Sequence, residues 1–511
     1  MVDIRSEHDI ETVRQVAILL DNENGRLVEM VKKLRLENAA LQGRDPSTLQ
    51  LELDLAQELL AKQNRSLFGR SSERRPGADG AAAQGNPSPR KGHGPKAQPA
   101  LPVVEQVHDL PEADRGCTVC GGTLKPMGEQ AEESEEISVV ERRFVVVKHR
   151  REKYRCACNG NVVTAQAPPR LIPGGRYSLD FAVEVASDKY LDHLPLERQA
   201  RKMSREGLDA DSQTLWDQIS ALARVLHPAY EALEREVLLA DLLYADETYW
   251  PQASKGNKAC RHWAWLKASA DTAFYQILDS RSKVAAEVVL KDYGGIVMAD
   301  GYAAYDALAR GAPGFTLVHC WAHARRKFVE AEPNAPEVCR PVLDMIGELY
   351  AVEREVPKPG PGAADDQVQG SLDLRAKLRS ERSTQIVRRI QQWVYEVRPG
   401  VLPQSGVGKA IDYMTGIWEG LTRFLQDPRI PLDNNHAERA LRGMVVGRKN
   451  HYGSRSLRGT QVAALFYTLF ETAKLRGVDP KAFVRDLAAK ALEETATGAA
   501  VREMAPGAIT G

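Results

Sequence analysis

Three carboxylates stand in phrases that could deliver hard oxygen ligands to one place. Asp246 lies in Leu-Leu-Tyr-Ala-Asp-Glu-Thr, Asp300 in Ile-Val-Met-Ala-Asp-Gly-Tyr, and Glu438 in Asp-Asn-Asn-His-Ala-Glu-Arg. Short apolar runs precede the first two, as they do in buried strands, so each acid is expected at a strand tip. Glu438 falls one turn into an amphipathic helix expected from about Asp433. Converging acids of this kind would hold a divalent ion, Mg²⁺ or Mn²⁺. Mg²⁺ takes carboxylates together with phosphate oxygens, and a pair of such ions can clamp both oxygens of an in-line phosphoryl displacement. That is the chemistry of cutting and joining nucleic acid.

Simpler readings of the same residues exist. Asp300 before Gly301 also suits a strand-end turn, and Asp433 and Asn434 suit a helix N-cap. Glu247 competes with Asp246, because neighbouring strand residues face opposite ways and only one can face the site. Glu438 is harder to dismiss. With Asn435, Arg439 and Arg442 it forms one continuous helix face, suited to a metal edge beside a phosphate track.

The elements that must position these acids alternate coherently. Strands are expected at Leu238–Asp246, His262–Lys267 and Ala273–Leu278, then a helix over Val284–Tyr293. Strands at Gly295–Ala299 and Thr316–Cys320 follow, the last leading into a basic helix whose Arg325, Arg326 and Lys327 suit phosphate. Cys320 and His323 have CxxH spacing, which reads as packing or helix orientation as readily as metal binding. Asp300 and Glu438 are separated by 137 residues. The intervening stretch holds a Pro/Gly linker at Pro357–Gly370 and helical patterns at Ser371–Val397 and Gly406–Leu425, with Trp393 and Trp418 as core candidates.

Formal net charge is zero, which excludes a uniformly basic coat. Positive charge is instead concentrated: residues 142–155 carry seven Lys/Arg against one acid, and 439–458 six against none. Such patches, including Arg150, Arg151, Arg439, Arg442, Arg448 and Lys449, are candidate phosphate contacts. Any one of them could equally be a solvated face.

Cys117-x-x-Cys120 precedes a Gly-Gly knuckle, and Cys156-x-Cys158 follows 36 residues later, after a hairpin expected through Ile137 to Tyr154. Four thiolates in two close pairs suit a closed, structural Zn²⁺ site, with a redox pair or buried thiols as the alternative. Leu20, Leu27, Leu34 and Leu41 recur every seven residues, with Ala17, Asn24, Val31 and Asn38 at the partnering positions. Leucine at d with intermittent Asn at a is the pattern of a two-stranded coiled coil, hence self-association as a homo-oligomer. Leu196–Ala223 reads as two helices around Gly207, either a helix-turn-helix or an ordinary helical hairpin. The N-terminus is charged from Asp3 and no apolar stretch is long enough to span a bilayer, so a cytoplasmic protein without a membrane partner is expected.

Taken together, the chain resembles the DDE transposases of the insertion sequence 66 type. The resemblance rests on Phe68-Gly-Arg-Ser-Ser-Glu73, the four-cysteine cluster, Ala245-Asp-Glu-Thr248, Ala299 to Tyr305, Cys320 to Phe328 and Asp433 to Asn450, all in order. It implies a ribonuclease-H-like core with a helical insertion, Asp246, Asp300 and Glu438 as the metal-binding triad, and DNA as partner. It also implies that accessory proteins of the same element take part. After Asn450 this chain departs from many relatives, with His451-Tyr452-Gly453-Ser454 in place of a bulkier apolar stretch. The rival expectations are a DNA-binding regulator with an inactive core and a plain nuclease.

The fold class expected is multidomain α+β. A coiled-coil arm spans 1–73, a disordered basic linker 74–101, a zinc-binding β-hairpin segment 102–170 and a helical segment 171–235. The ribonuclease-H-like α/β core occupies 236–328 and 431–490 around an insertion at 329–430, and a flexible tail fills 491–511.

Overall fold

Strand alternation around Asp246 decides the architecture. In the computed structural model, residues 26, 30, 33, 144–155, 162–165, 168–253, 260–311, 314–360 and 363–504 are described. Contacts divide the chain into one unit of Met1–Glu73 with Val146–Gly511 and another of Arg74–Val145. All elements below belong to the first.

A short hairpin pairs β1 (Lys153–Arg155) with β2 (Val162–Thr164), antiparallel. It lies later in the chain than the expected Ile137–Tyr154 hairpin, with Cys156 and Cys158 between its strands in sequence. All four cysteines of the expected zinc site lie outside the described residues. So do the leucine repeat and its partnering positions. Arg26, Met30 and Lys33 are helical and exposed.

Helices α1 (Leu179–Tyr190), α2 (Leu196–Arg205) and α3 (Ser212–Val237) come next. The α2–α3 turn is made by Gly207 at φ +86°, and Asp211 caps α3 by accepting from Thr214 N at 2.6 Å. The expected helix pair is present. Its second helix, however, runs for 26 residues and buries Leu215, Ile219, Leu222 and Leu226 on one stripe.

The sheet has five strands in the order β5-β4-β3-β6-β7. These are β3 (Leu242–Gln252), β4 (Cys260–Ala268), β5 (Ala273–Leu278), β6 (Ile296–Ala299) and β7 (Thr316–His319). β3, β4 and β5 are antiparallel, whereas β3, β6 and β7 run parallel. The parallel pairs need crossovers, supplied by α4 (Lys283–Leu290) and α5 (Ala303–Ala309). The strand expectations hold to within a few residues, except that β3 continues six residues past Asp246.

After β7 come α6 (Trp321–Ala331) and α7 (Pro336–Arg354), then α8 (Asp365–Leu378) and α9 (Thr384–Val397), joined by a π-helical turn at Arg379–Ser383. α10 (Gly406–Gly416) and α11 (Trp418–Thr422) complete the insertion. Its core is continuous with Met298 and Val318 of the sheet. Phe328 meets Trp393 and Trp321 meets Trp418 edge to face, at 5.7 and 6.1 Å. Buried Arg379 is bidentate to Glu353 at 2.7 and 3.0 Å and donates to the carbonyls of Phe424, Asp427 and Ile430. That satisfies a charge which would otherwise be costly to bury.

The chain returns to the sheet with α12 (Asn435–His451), α13 (Leu457–Leu475) and α14 (Pro480–Met504). α13 is buried nearly all round, and it shields the β5 edge. Thr468 and Thr472 hydroxyls accept from Tyr275 N and Ala273 N at 3.0 and 3.2 Å, which closes an edge that could otherwise pair with another chain.

Candidate catalytic site

Register places the two aspartates. Leu242 lies opposite Ile296 and Tyr244 opposite Met298. Carried two residues further, that register sets Asp246 level with Asp300 on the adjacent strand and on the same face of the sheet. Asp246 is therefore not at a strand tip. It sits mid-strand on β3, opposite Leu266 on β4, while Asp300 does follow the last residue of β6.

Strand alternation also separates Asp246 from Glu247. Glu247 is buried on the other face with both oxygens occupied. Arg281 Nε and Nη2 donate to Oε1 at 2.8 and 2.6 Å, and Tyr305 Oη donates to Oε2 at 2.8 Å. The guanidinium is itself sandwiched against Trp263 and Tyr302, 4.9 and 4.1 Å from their ring centroids. Glu247 is a structural lock. Sequence reasoning missed Arg281 and Tyr305 as its partners, although Tyr305 ends one of the quoted motifs.

α12 crosses the Asp246 face of the sheet. Near its start His436 packs on Tyr244, with ring centroids 4.6 Å apart. Near its end Arg448 donates to Thr248 Oγ1 at 2.8 Å and to the carbonyl of Tyr249. Tyr244, Asp246 and Thr248 share one face, so Glu438 is carried over the same surface. The N-terminus of α12 is fixed from two sides. Asn434 Nδ2 donates to Ala245 O at 2.9 Å, while Asn434 N donates to Cys320 Sγ at 3.2 Å. Asn434 is the capping residue, but its side chain serves the neighbouring strand and not the helix. Cys320 likewise acts in packing.

Electrostatics reports the same proximity. The Asp246 carboxyl is pushed up to about 8, by burial first and then by Glu247, Asp300 and Glu438. Glu438 faces α6, its Oε1 3.5 Å from His323 Nε2 and its Oε2 3.8 Å from Arg326 Nη2. Its Oε1 is buried without a hydrogen-bond partner. Asp300 Oδ1 accepts from Tyr302 N at 3.0 Å, and Gly301 N donates to Tyr413 Oη at 3.1 Å. A Cβ at Gly301 would come within 2.7 Å of the Tyr413 ring, so this close approach requires glycine. Tyr413 belongs to α10, and the insertion thus braces the Asp300 turn. Among the described residues no three Asp, Glu, His or Cys side chains converge tightly enough to enclose one ion. The acids are neighbours across one face and do not form a closed ligand set.

The basic candidates divide by environment. Arg439, Arg442 and Lys449 are exposed along α12, Lys327 is exposed on α6, and Arg325 and Arg326 are half-buried. Arg150 and Arg151 are exposed, with Arg150 paired to Glu152 at 3.0 Å. Arg448 differs from the phosphate contact expected of it, because β3 occupies its guanidinium. Arg448→Ala should lower stability by about 1–3 kcal/mol through the acceptors it abandons, read as a drop in thermal midpoint. Lys449→Ala should leave the midpoint unchanged.

Two family models match the chain. The family model described as "Transposase IS66 family" matches residues 174–462, a stretch containing Asp246, Asp300 and Glu438. A second, "zinc-finger binding domain of transposase IS66", matches 114–159 and contains all four clustered cysteines. The chain is similar to uncharacterized protein y4jD of Sinorhizobium fredii, 30% identical over 500 residues, covering 94% of this chain and 92% of the relative. It is also similar to y4hP of the same organism, 30% identical over 430 residues, covering 79% and 75%. No solved structure matches. No helix among the described residues is long and apolar enough to cross a membrane. With more than half of its length matched by the transposase model, the chain belongs to the IS66 transposase family.

Proposed function

We propose that the protein is a DNA transposase that cleaves at the 3′ ends of its own element and joins the freed 3′-hydroxyls to target DNA. The observation that supports this is the placement of Asp246 level with Asp300 on one face of a five-stranded mixed sheet, with the helix bearing Glu438 laid across that face. The strand order, with three antiparallel strands followed by two parallel additions, supports the reading of a ribonuclease-H-like core. Asp246 held far above its ordinary range and an unpartnered oxygen on Glu438 describe a cluster short of positive charge. Hard oxygen donors of this kind fit Mg²⁺ or Mn²⁺. Such ions, when bound, would stabilise charge on the attacking and leaving oxygens.

The chain's own residues do the rest. Asp246, Asp300 and Glu438 would hold the ions, and His323 and Arg326 position the Glu438 carboxylate from the neighbouring helix. Tyr413 fixes the backbone after Asp300. Arg325, Arg439, Arg442 and Lys449 would track phosphates, with Arg150 and Arg151 as further contacts. Cys117, Cys120, Cys156 and Cys158 would hold a structural Zn²⁺. The leucine repeat would make the protein a homo-oligomer, and accessory proteins of the element would join it on DNA.

The test is a strand-transfer assay with purified protein, labelled DNA from the sequences flanking its gene, a plasmid target and Mg²⁺ or Mn²⁺. Joined products are expected. Cleavage without joining would make the protein a plain nuclease, and binding without cleavage, with neighbouring gene products added, a regulator. Removing one exposed cation such as Lys449 should reduce the slope of log affinity against log salt by about 1.

A further inference from the structure

About 18 Å along α12 from Glu438, at 1.5 Å per residue, the basic helix ends in a recess. It has a volume of about 470 Å³ and lies between the α1–α3 helices and the Asn450–Ser456 segment. Its position is fixed by β3: Trp250 Nε1 donates to Ser454 Oγ at 3.1 Å, and Gln252 bridges to Ser454. Tyr452 and Gly453, at φ +57° and +74°, reverse the chain to form the wall.

The lining is of two kinds. Tyr190, Leu196 and Ala463 make an apolar floor beside half-buried Trp216. Lys189, Arg198, Arg201 and Arg455 make a rim opposed by the single carboxylate of Glu197. Burial pushes the Lys189 ammonium down to about 8, with neighbouring Arg455 adding to the shift and Glu197 opposing it. A strip that only holds duplex phosphates needs no recess and no aromatic wall. An extruded nucleotide needs both, because its base must be stacked and its phosphate neutralised.

We propose that this recess receives one nucleotide of the element end, turned out of the duplex, with its base against Trp216 and its phosphate on the cationic rim. The proposal rests on the transposase reading for the identity of the DNA. Gln252 lies six residue steps along β3 from Asp246, about 20 Å at ~3.3 Å per residue. At about 3.4 Å of rise per nucleotide, the extruded position lies about six nucleotides from the cleavage site.

The experiment is a gel-shift titration of full-length protein with duplexes carrying the flanking terminal sequence and a single mismatch moved along them. Cleavage and joining of the same duplexes are followed in parallel. A mismatch removes the pairing that extrusion must break. Wild type should therefore bind tightest when the mismatch lies about six nucleotides from the cut. Trp216→Ala should lose that preference and bind matched ends about tenfold more weakly. Trp216→Phe should retain both, and circular dichroism of each variant checks its fold. Arg455→Ala, a change at an exposed side chain paired with Glu197 at 3.6 Å, should lower the salt slope without moving the preferred position. If wild type cuts and joins but shows no preferred mismatch position, the recess proposal is overturned and the transposase reading stands. A preferred position that depends on Trp216, without cutting or joining, leaves the recess and removes the catalytic reading. No binding to these ends by wild type overturns both.

Discussion

Asp300→Asn should bind element ends as tightly as wild type and join them to target at least about a thousandfold more slowly, the scale on which preorganised charge stabilisation is lost. The substitution is nearly isosteric. Asn can still accept the hydrogen bond from Tyr302 N, and Gly301 can still donate to Tyr413. What it removes is one negative charge from a cluster whose members already repel one another, so the fold has no reason to suffer. Asp246→Asn and Glu438→Gln should behave alike. Glu247→Gln provides the contrast: it weakens a buried ion pair with Arg281 on the opposite face, so it should lower the thermal midpoint with a much smaller effect on joining. Retained strand transfer in Asp300→Asn would remove Asp300 from the catalytic set.

Divalent ions should raise the thermal midpoint, and more so at pH 8 than at pH 6. The sign follows from Asp246, whose folded-state carboxyl is raised from 3.8 to about 8. Between those limits the folded, metal-free protein holds a proton that the unfolded chain has released. Stability therefore falls as pH rises through that window, by on the order of several kcal/mol at full extent. A bound cation replaces that proton, so the gain from Mg²⁺ or Mn²⁺ grows with pH. Asp246→Asn should raise the metal-free midpoint at pH 8 and lose most of the metal-dependent gain. An unchanged gain in that variant would show that the ion binds elsewhere. The measurement is a thermal melt with and without each ion at both pH values.

Much of this site was legible in the chain because its parts are local. Asp300 follows a short apolar run that ends where β6 ends, and the helix bearing Glu438 begins within two residues of its expected start. Asp246 was misplaced within its strand for a physical reason. The apolar run stops at Ala245, but the strand stays paired with β4 as far as Gln252, burying Glu247 on one face and Trp250 on the other. Glu247 looked like a competing ligand because its neutralising partners, Arg281 and Tyr305, lie 34 and 58 residues away. Asn434 read as an ordinary cap, since nothing local reveals that its amide reaches Ala245. Arg448 read as a phosphate contact for the same reason. The bracing of the Asp300 turn by Tyr413 joins segments 112 residues apart, and no periodicity announces such a contact.

The stem of the helical insertion is stitched shut. Trp321 N donates to Leu432 O at 2.8 Å, and the next bond joins Cys320 to Asn434. The chain thus leaves the sheet and returns to it at one point, with more than a hundred residues folded as a side branch whose apolar core runs on into Met298 and Val318 of the sheet. Closing a longer branch costs little, because loop entropy grows only with the logarithm of length. The outer loops of this module are therefore free to lengthen, shorten or be exchanged over evolutionary time, while the bonds at its root and those from α12 to β3 hold the last acid over the first.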